Sequence, residues 1–208
     1  MAAHGKQERS RLTAIRALHD PRVPLVVLDL CSVETYLLAQ PLTWLAVERE
    51  GAIWCPLASE PQPLDLDREA ARRVAERLQL PLTWPERHPA PVPRAMRVAA
   101  LACTRGVGAA FIFGMSRLAF GGAADLEDHE QYLLAIEETG LTAQEATRAA
   151  EHGARWDAEL RVLAREMRGL GIAGAPALRW RGRLYVGARA IAPALAQSPS
   201  SQPPFDPV

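Results

Sequence analysis

Apolar residues form short continuous runs near the two ends of the chain and recur at helical spacing between them. Residues 25–30, LVVLDL, read as a strand covered on both faces, since Val26, Val27 and Leu28 follow one another between Pro24 and Asp29. From 33 to about 50, Tyr36, Leu37, Leu42, Trp44, Leu45 and Val47 keep helical spacing, with a kink expected at Pro41 and an end at Gly51. Residues 52–57, AIWCPL, form a second strand stopped by Pro56, and Pro61 and Pro63 predict a loop. Strand, helix and strand make a βαβ unit with a right-handed crossover.

The middle of the chain is helical. Ala70, Ala71, Val74, Ala75 and Leu78 predict an amphipathic helix over 67–79, capped by Asp67 and ended at Pro81. Five prolines between 81 and 93 exclude regular structure until Pro93, which suits a first helical turn. Helices are then expected over 94–104, 109–120, 127–139, 142–151 and 155–168, with Thr142 and Glu145 as a capping box. Trp156, Leu160, Leu163 and Met167 form a stripe read as a core face. Residues 176–180 and 183–187 flank Arg181-Gly182 as a hairpin, and a short helix over 190–196 follows. The Pro/Ser-rich tail, 197–208, is expected to be flexible.

Composition narrows the function classes. A chain of 208 residues, 49% hydrophobic and 23% charged, buries a real core. With 24 basic and 24 acidic residues there is no field to draw nucleic acid, and because Lys6 is the only lysine the arginines read as coding bias. No run approaches the roughly 20 apolar residues of a membrane span, and residues 1–22 lack the apolar centre of a signal peptide. Cys31, Cys55 and Cys103 form neither an even framework nor a C-x-x-C pair, which fits a reducing cytoplasm.

Several stretches invite chemistry. GLGIAG, 169–174, matches a dinucleotide fingerprint but follows a helix and precedes a strand, the reverse of what such a site needs, so it reads as a flexible loop. The carboxylates and His129 of 125–130 lack a diagnostic ligand spacing, and acids are expected at a helix start; no metal site is assigned. His88 and His152 stand isolated. Residues 31–35, Cys-Ser-Val-Glu-Thr, lie where a strand passes into a helix start, a place that favours an anion such as a thiolate, with Ser32 or Thr35 as hydrogen-bond donor. Ser32 as a plain N-cap explains the same residues without a ligand. Ala175-Pro176, just before a strand, is a candidate cis bond.

This order of elements resembles the DsbA-like thioredoxin fold, and within it the branch of 2-hydroxychromene-2-carboxylate isomerases and kappa-class glutathione transferases. The resemblance spans residues 25–192. It rests on Asp29-Leu30-Cys31-Ser32-Val33-Glu34-Thr35-Tyr36-Leu37 against a D-x-x-S-P-Y-S-Y-L type motif, on Trp84-Pro85 and Arg94-Ala95-Met96-Arg97, and on Gly174-Ala175-Pro176-Ala177-Leu178. It implies an α/β fold, a thioredoxin-like mixed four-stranded sheet with an α-helical insertion domain. The thioredoxin-like part would comprise 23–90 and 169–196, the insertion 91–168, with 1–22 as an N-terminal extension. It further implies that Ser32 is the catalytic residue, holding the glutathione sulfur. Thr35, Thr83, Trp84, Ala175, Pro176 and Gly187 would line the glutathione site, and Ala175 would offer its backbone to the cofactor's cysteine.

Departures from the pattern concentrate at the cofactor. Val33, Glu34 and Thr35 replace proline, an aromatic and serine; Thr83 and Pro93 stand where asparagines are common; and Gly187-Ala188-Arg189 lacks the acidic residue of G-x-D-R. Glu34 brings a negative charge beside a thiolate site. The leading expectation is a cytoplasmic, dimeric, glutathione-dependent isomerase or transferase acting on a small aromatic or conjugated substrate. The alternatives are a non-catalytic thioredoxin-fold accessory protein and single-cysteine redox chemistry at Cys31.

Overall fold

The computed structural model describes residues 17–39, 41–43, 52–57, 67–88 and 90–196. Strands β1 (Leu25–Leu28), β2 (Ile53–Pro56), β3 (Ala177–Trp180) and β4 (Arg183–Val186) form one mixed sheet in the order β2-β1-β3-β4. β1 pairs parallel with β2 and antiparallel with β3, and β3–β4 is the expected hairpin. Helix α1 (Val33–Leu37) follows β1, α2 (Arg68–Arg77) follows β2, and α8 (Ala188–Ala196) closes the fold. Between α2 and β3 run α3 (Pro93–Thr104), α4 (Gly108–Gly122), α5 (His129–Ile136), α6 (Ala143–Glu151) and α7 (Ala154–Gly169), a helical block where the insertion is expected. No described helix is long and apolar enough to cross a membrane.

Period-two alternation sorts β1 between two cores. Val26 and Leu28 join a large cluster with Phe111, Phe120 and Tyr132 of the insertion, whereas Leu25 and Val27 face a smaller one with Leu18, Met167 and Ile172. The apolar stripe of α7 spans both: Trp156 and Leu160 pack in the first, Leu163 and Met167 in the second. Leu18, in the segment read as an extension, is buried, and the Arg179 guanidinium donates to the Leu18 carbonyl at 2.6 Å and to the Val23 carbonyl at 3.1 Å.

Side chains that rival the backbone shift several boundaries. β1 stops at Leu28 because the Asp29 carboxylate takes the Cys31 N–H at 2.9 Å and folds the chain into an Asx turn. α5 begins at His129, two residues late, because Asp125 accepts from the Glu127 N–H and Asp128 from the Glu130 N–H. The Asp67 cap and the Thr142–Glu145 capping box form as expected. The helix expected over 33–50 is described only to Leu37 and again at 41–43; Trp44, Leu45, Val47 and Gly51, like Pro61, Pro63 and the tail 197–208, lie outside the described residues. Gly169 ends α7, and Gly171, at φ +78°, turns the chain towards β3.

Candidate functional site

The end of β1 is drawn into a turn before α1 starts. The Ser32 N–H donates to the Asp29 carbonyl at 3.2 Å, and Ser32 takes the N-cap position in an extended conformation, φ −93° and ψ 119°. Its side chain makes no capping bond; the Thr35 N–H goes instead to the Ser32 backbone carbonyl at 3.0 Å. The half-buried hydroxyl of Ser32 has no hydrogen-bond partner among the described residues. Ser32 is therefore an N-cap by position alone, and its Oγ is open to a ligand.

Thr35 turns the other way. It is fully buried, and its Oγ1 accepts the Asp29 N–H at 3.4 Å, which places that hydroxyl inside the β1–α1 junction and not beside Ser32's open face. Glu34 is buried too, at 4% exposure, and its Oε2 accepts the Ala188 N–H of α8 at 2.8 Å. The carboxylate expected to face a thiolate is committed to the start of another helix.

β-sheet register brings the Ala175-Pro176 peptide to the same end of the sheet. Val27 pairs with Ala177, so the Ala175-Pro176 peptide enters the sheet where β1 runs out towards Leu28 and Asp29. The Ala175-Pro176 bond is cis, and the Gly187 N–H donates to the Pro176 carbonyl at 2.8 Å. Gly187, at φ +80°, sits in the left-handed region where a side chain strains the backbone. Ser32, Ala175, Pro176 and Gly187 thus gather where β1 and β4 end and β3 begins, with Glu34 and Ala188 as the stitch between α1 and α8.

Cys31 lies beside Ser32 in an acidic setting. Its Sγ donates to the Ala90 carbonyl at 3.1 Å; burial, with the Asp29 and Glu127 carboxylates, pushes the thiol up to about 12. Such a thiol stays protonated at neutral pH, the reverse of an activated redox cysteine. Glu127 accepts the N–H groups of Arg94, at 3.0 Å, and Ala95, at 3.4 Å, which fills the amides at the start of α3, and burial raises its own carboxyl above the usual range. By its spacing Glu127 reads as an acid opening its own helix; that it caps α3 from across the fold has no signature in spacing.

Thr83 and Trp84 lie against Phe120 of α4. The Thr83 N–H, at 2.7 Å, and its hydroxyl, at 3.2 Å, both donate to the Phe120 carbonyl, so the exposed threonine is spent on α4. Trp84 meets Phe120 edge to face at 5.8 Å between ring centres, with Arg68 4.9 Å over its ring. His88 completes this cluster, 5.2 Å from Phe120 and 5.3 Å from Trp84; its Nε2 is sealed from solvent and has no hydrogen-bond partner among the described residues. In the Arg94-Ala95-Met96-Arg97 segment, Arg97 holds Asp157 through two bonds of 2.8 and 3.0 Å and donates to the Ala150 carbonyl at 2.7 Å, which ties α3 to α7.

A family model of the DSBA-like thioredoxin domain matches residues 62–196. Comparison with curated protein sequences gave no match. Among solved structures, a 2-hydroxychromene-2-carboxylate isomerase superposes with a TM-score of 0.63 at 14% identity, covering 84% of this chain and 93% of its own. The cytosolic disulfide reductase DsbM from Pseudomonas aeruginosa, solved with GSH, gives a TM-score of 0.56 at 21% identity, covering 79% of this chain and 88% of its own. At these identities the likeness is one of fold.

Proposed function

The chain belongs to the DSBA-like thioredoxin domain family, and on that premise we propose that it is a glutathione-dependent isomerase or transferase with a divergent site. The observation that carries this reading is the uncommitted hydroxyl of Ser32 at the start of α1. The Ser32 Oγ–H donates to the cofactor sulfur, while the backbone at Ala175-Pro176 receives the cofactor's cysteine. Glutathione, which accompanies the P. aeruginosa neighbour, is the thiol we assign. The sulfur adds to the β-carbon of a conjugated aromatic substrate, and the displaced π electrons pass to its carbonyl oxygen, which takes a proton. Rotation about the resulting single bond, followed by loss of the sulfur as thiolate and of that same proton, which together re-form the thiol, returns the isomerised alkene. We place this chemistry in the cytoplasm and in a homodimer.

A second reading draws on Glu34. Its carboxylate already holds the Ala188 N–H, and Glu127 holds those of Arg94 and Ala95, so backbone donors near the site are spent within the fold. That favours a non-catalytic accessory module. Isothermal titration of the intact protein with glutathione separates the two. Binding in the micromolar to low millimolar range that weakens in Ser32→Ala supports the cofactor site; absence of heat at several times that concentration supports the accessory reading.

A further inference from the structure

Away from Ser32, helices α3, α6 and α7 line an open hollow of about 350 Å³. Leu101, Ala149 and the Trp156 indole give it an apolar floor, and Arg148, His152 and Arg155 stand on its rim. Its charge is lopsided. Arg105 and Glu145 also line it, but they form an ion pair at 2.5 Å and Glu145 further holds the Thr142 N–H, so this carboxylate is already engaged. Arg148 and Arg155 have no ion pair among the described residues. The Arg155 guanidinium lies 4.8 Å over the Trp156 ring. A guanidinium stacked in this way keeps its in-plane N–H groups for a planar acceptor, the geometry that suits a carboxylate.

We propose that this hollow is a second binding site, for a single-ring aromatic carboxylate. A volume near the lower end of small-molecule pockets admits one ring. The apolar floor calls for a hydrocarbon body, which inorganic phosphate lacks, and the unpaired cations on the rim call for a negative end, which a neutral aromatic lacks. The site does not rest on the thiol reading, since none of its residues belongs to the β1–α1 junction.

The probe is benzoate, titrated into the full-length, ¹⁵N-labelled protein while the tryptophan indole N–H resonances are followed, with Trp156→Phe assigning the relevant one. The expected result is a saturable shift of the Trp156 resonance, weakened by roughly tenfold or more in Arg148→Glu and unchanged in Ser32→Ala, with no saturable shift from benzyl alcohol. A shift that never saturates, equal affinity in Arg148→Glu, or equal binding of benzyl alcohol overturns the proposal. Loss of the effect in Ser32→Ala does so as well, by moving benzoate to the other site.

Discussion

The Glu34 carboxylate accepts the backbone N–H of Ala188 at 2.8 Å, so two positions that depart from the isomerase pattern touch each other across the fold. The chain supplies from α1 an acceptor for the start of α8. Glu34 is buried, and truncating it strands that amide, so Glu34→Ala is expected to cost about 1–3 kcal/mol in urea unfolding. Glu34→Gln keeps an acceptor oxygen and should lose less. Both remove a negative charge near Ser32, and in titrations under conditions where they stay folded both should bind glutathione more tightly than the parent. A stable Glu34→Ala protein would show that the contact contributes nothing to folding.

Arg97 and Gly153 set a second test. A Cβ at Gly153 runs into the Arg97 guanidinium, which is held in a fork by Asp157 and by the Ala150 carbonyl. Gly153→Ala must push Arg97 out of that fork, and the overpacking is expected to cost about 1–3 kcal/mol. Arg97→Lys keeps the charge but cannot make the paired bonds, so it should destabilise without any change in net charge. The hydrogen bonds from Arg97 hold the Asp157 carboxyl below its ordinary value of 3.8. Its contribution is complete above that value and fades as pH falls through the lowered one. Acid unfolding curves should therefore be shallower in Asp157→Asn than in the parent.

Most of the architecture was legible because it follows from local rules. The continuous apolar run Val26-Val27-Leu28, the Asp67 cap, the Thr142–Glu145 box and Pro93 at a helix start are each settled within a few residues. The β1–α1 junction was legible as a place, and Ser32 as its N-cap position, but the direction of each side chain was not. Thr35 turns inward to Asp29, and Glu34 reaches a residue 154 positions away. Glu127 on the start of α3, the burial of the His88 Nε2 beside Trp84 and Phe120, and the hollow at Trp156 likewise join distant segments, where helical spacing carries no information.

His88 is expected to make the protein sensitive to mild acid. Burial, with Arg68 close by, holds its imidazole below the usual 6.5, and no described group accepts a proton from its Nε2. The unfolded chain therefore binds a proton more readily than the folded one. Stability from the neutral ring is complete above pH 6.5 and is lost as pH falls through the lowered value. Thermal unfolding midpoints should fall between neutral pH and pH 5, and His88→Phe, which keeps a ring beside Trp84 and Phe120, should flatten that slope. An equal slope in the variant would assign it to other groups.

Cys31 offers the sharpest contrast between a redox protein and one that uses Ser32. A thiol pushed up to about 12 exposes almost no thiolate at neutral pH. Iodoacetamide should therefore label Cys31 in the folded protein at pH 7 far more slowly than it labels free cysteine, and urea should restore the ordinary rate. The acidic neighbours are part of the cause, so Glu127→Gln should raise the folded-state rate, although it leaves the thiol buried against the Ala90 carbonyl. Linkage gives an independent check. A raised folded pKa means that stability from the protonated thiol is complete below its ordinary value of 9.0 and declines as pH rises towards 12. Cys31→Ala should remove that share of the alkaline loss, while rapid labelling of the folded parent at pH 7 would return Cys31 to the list of redox candidates.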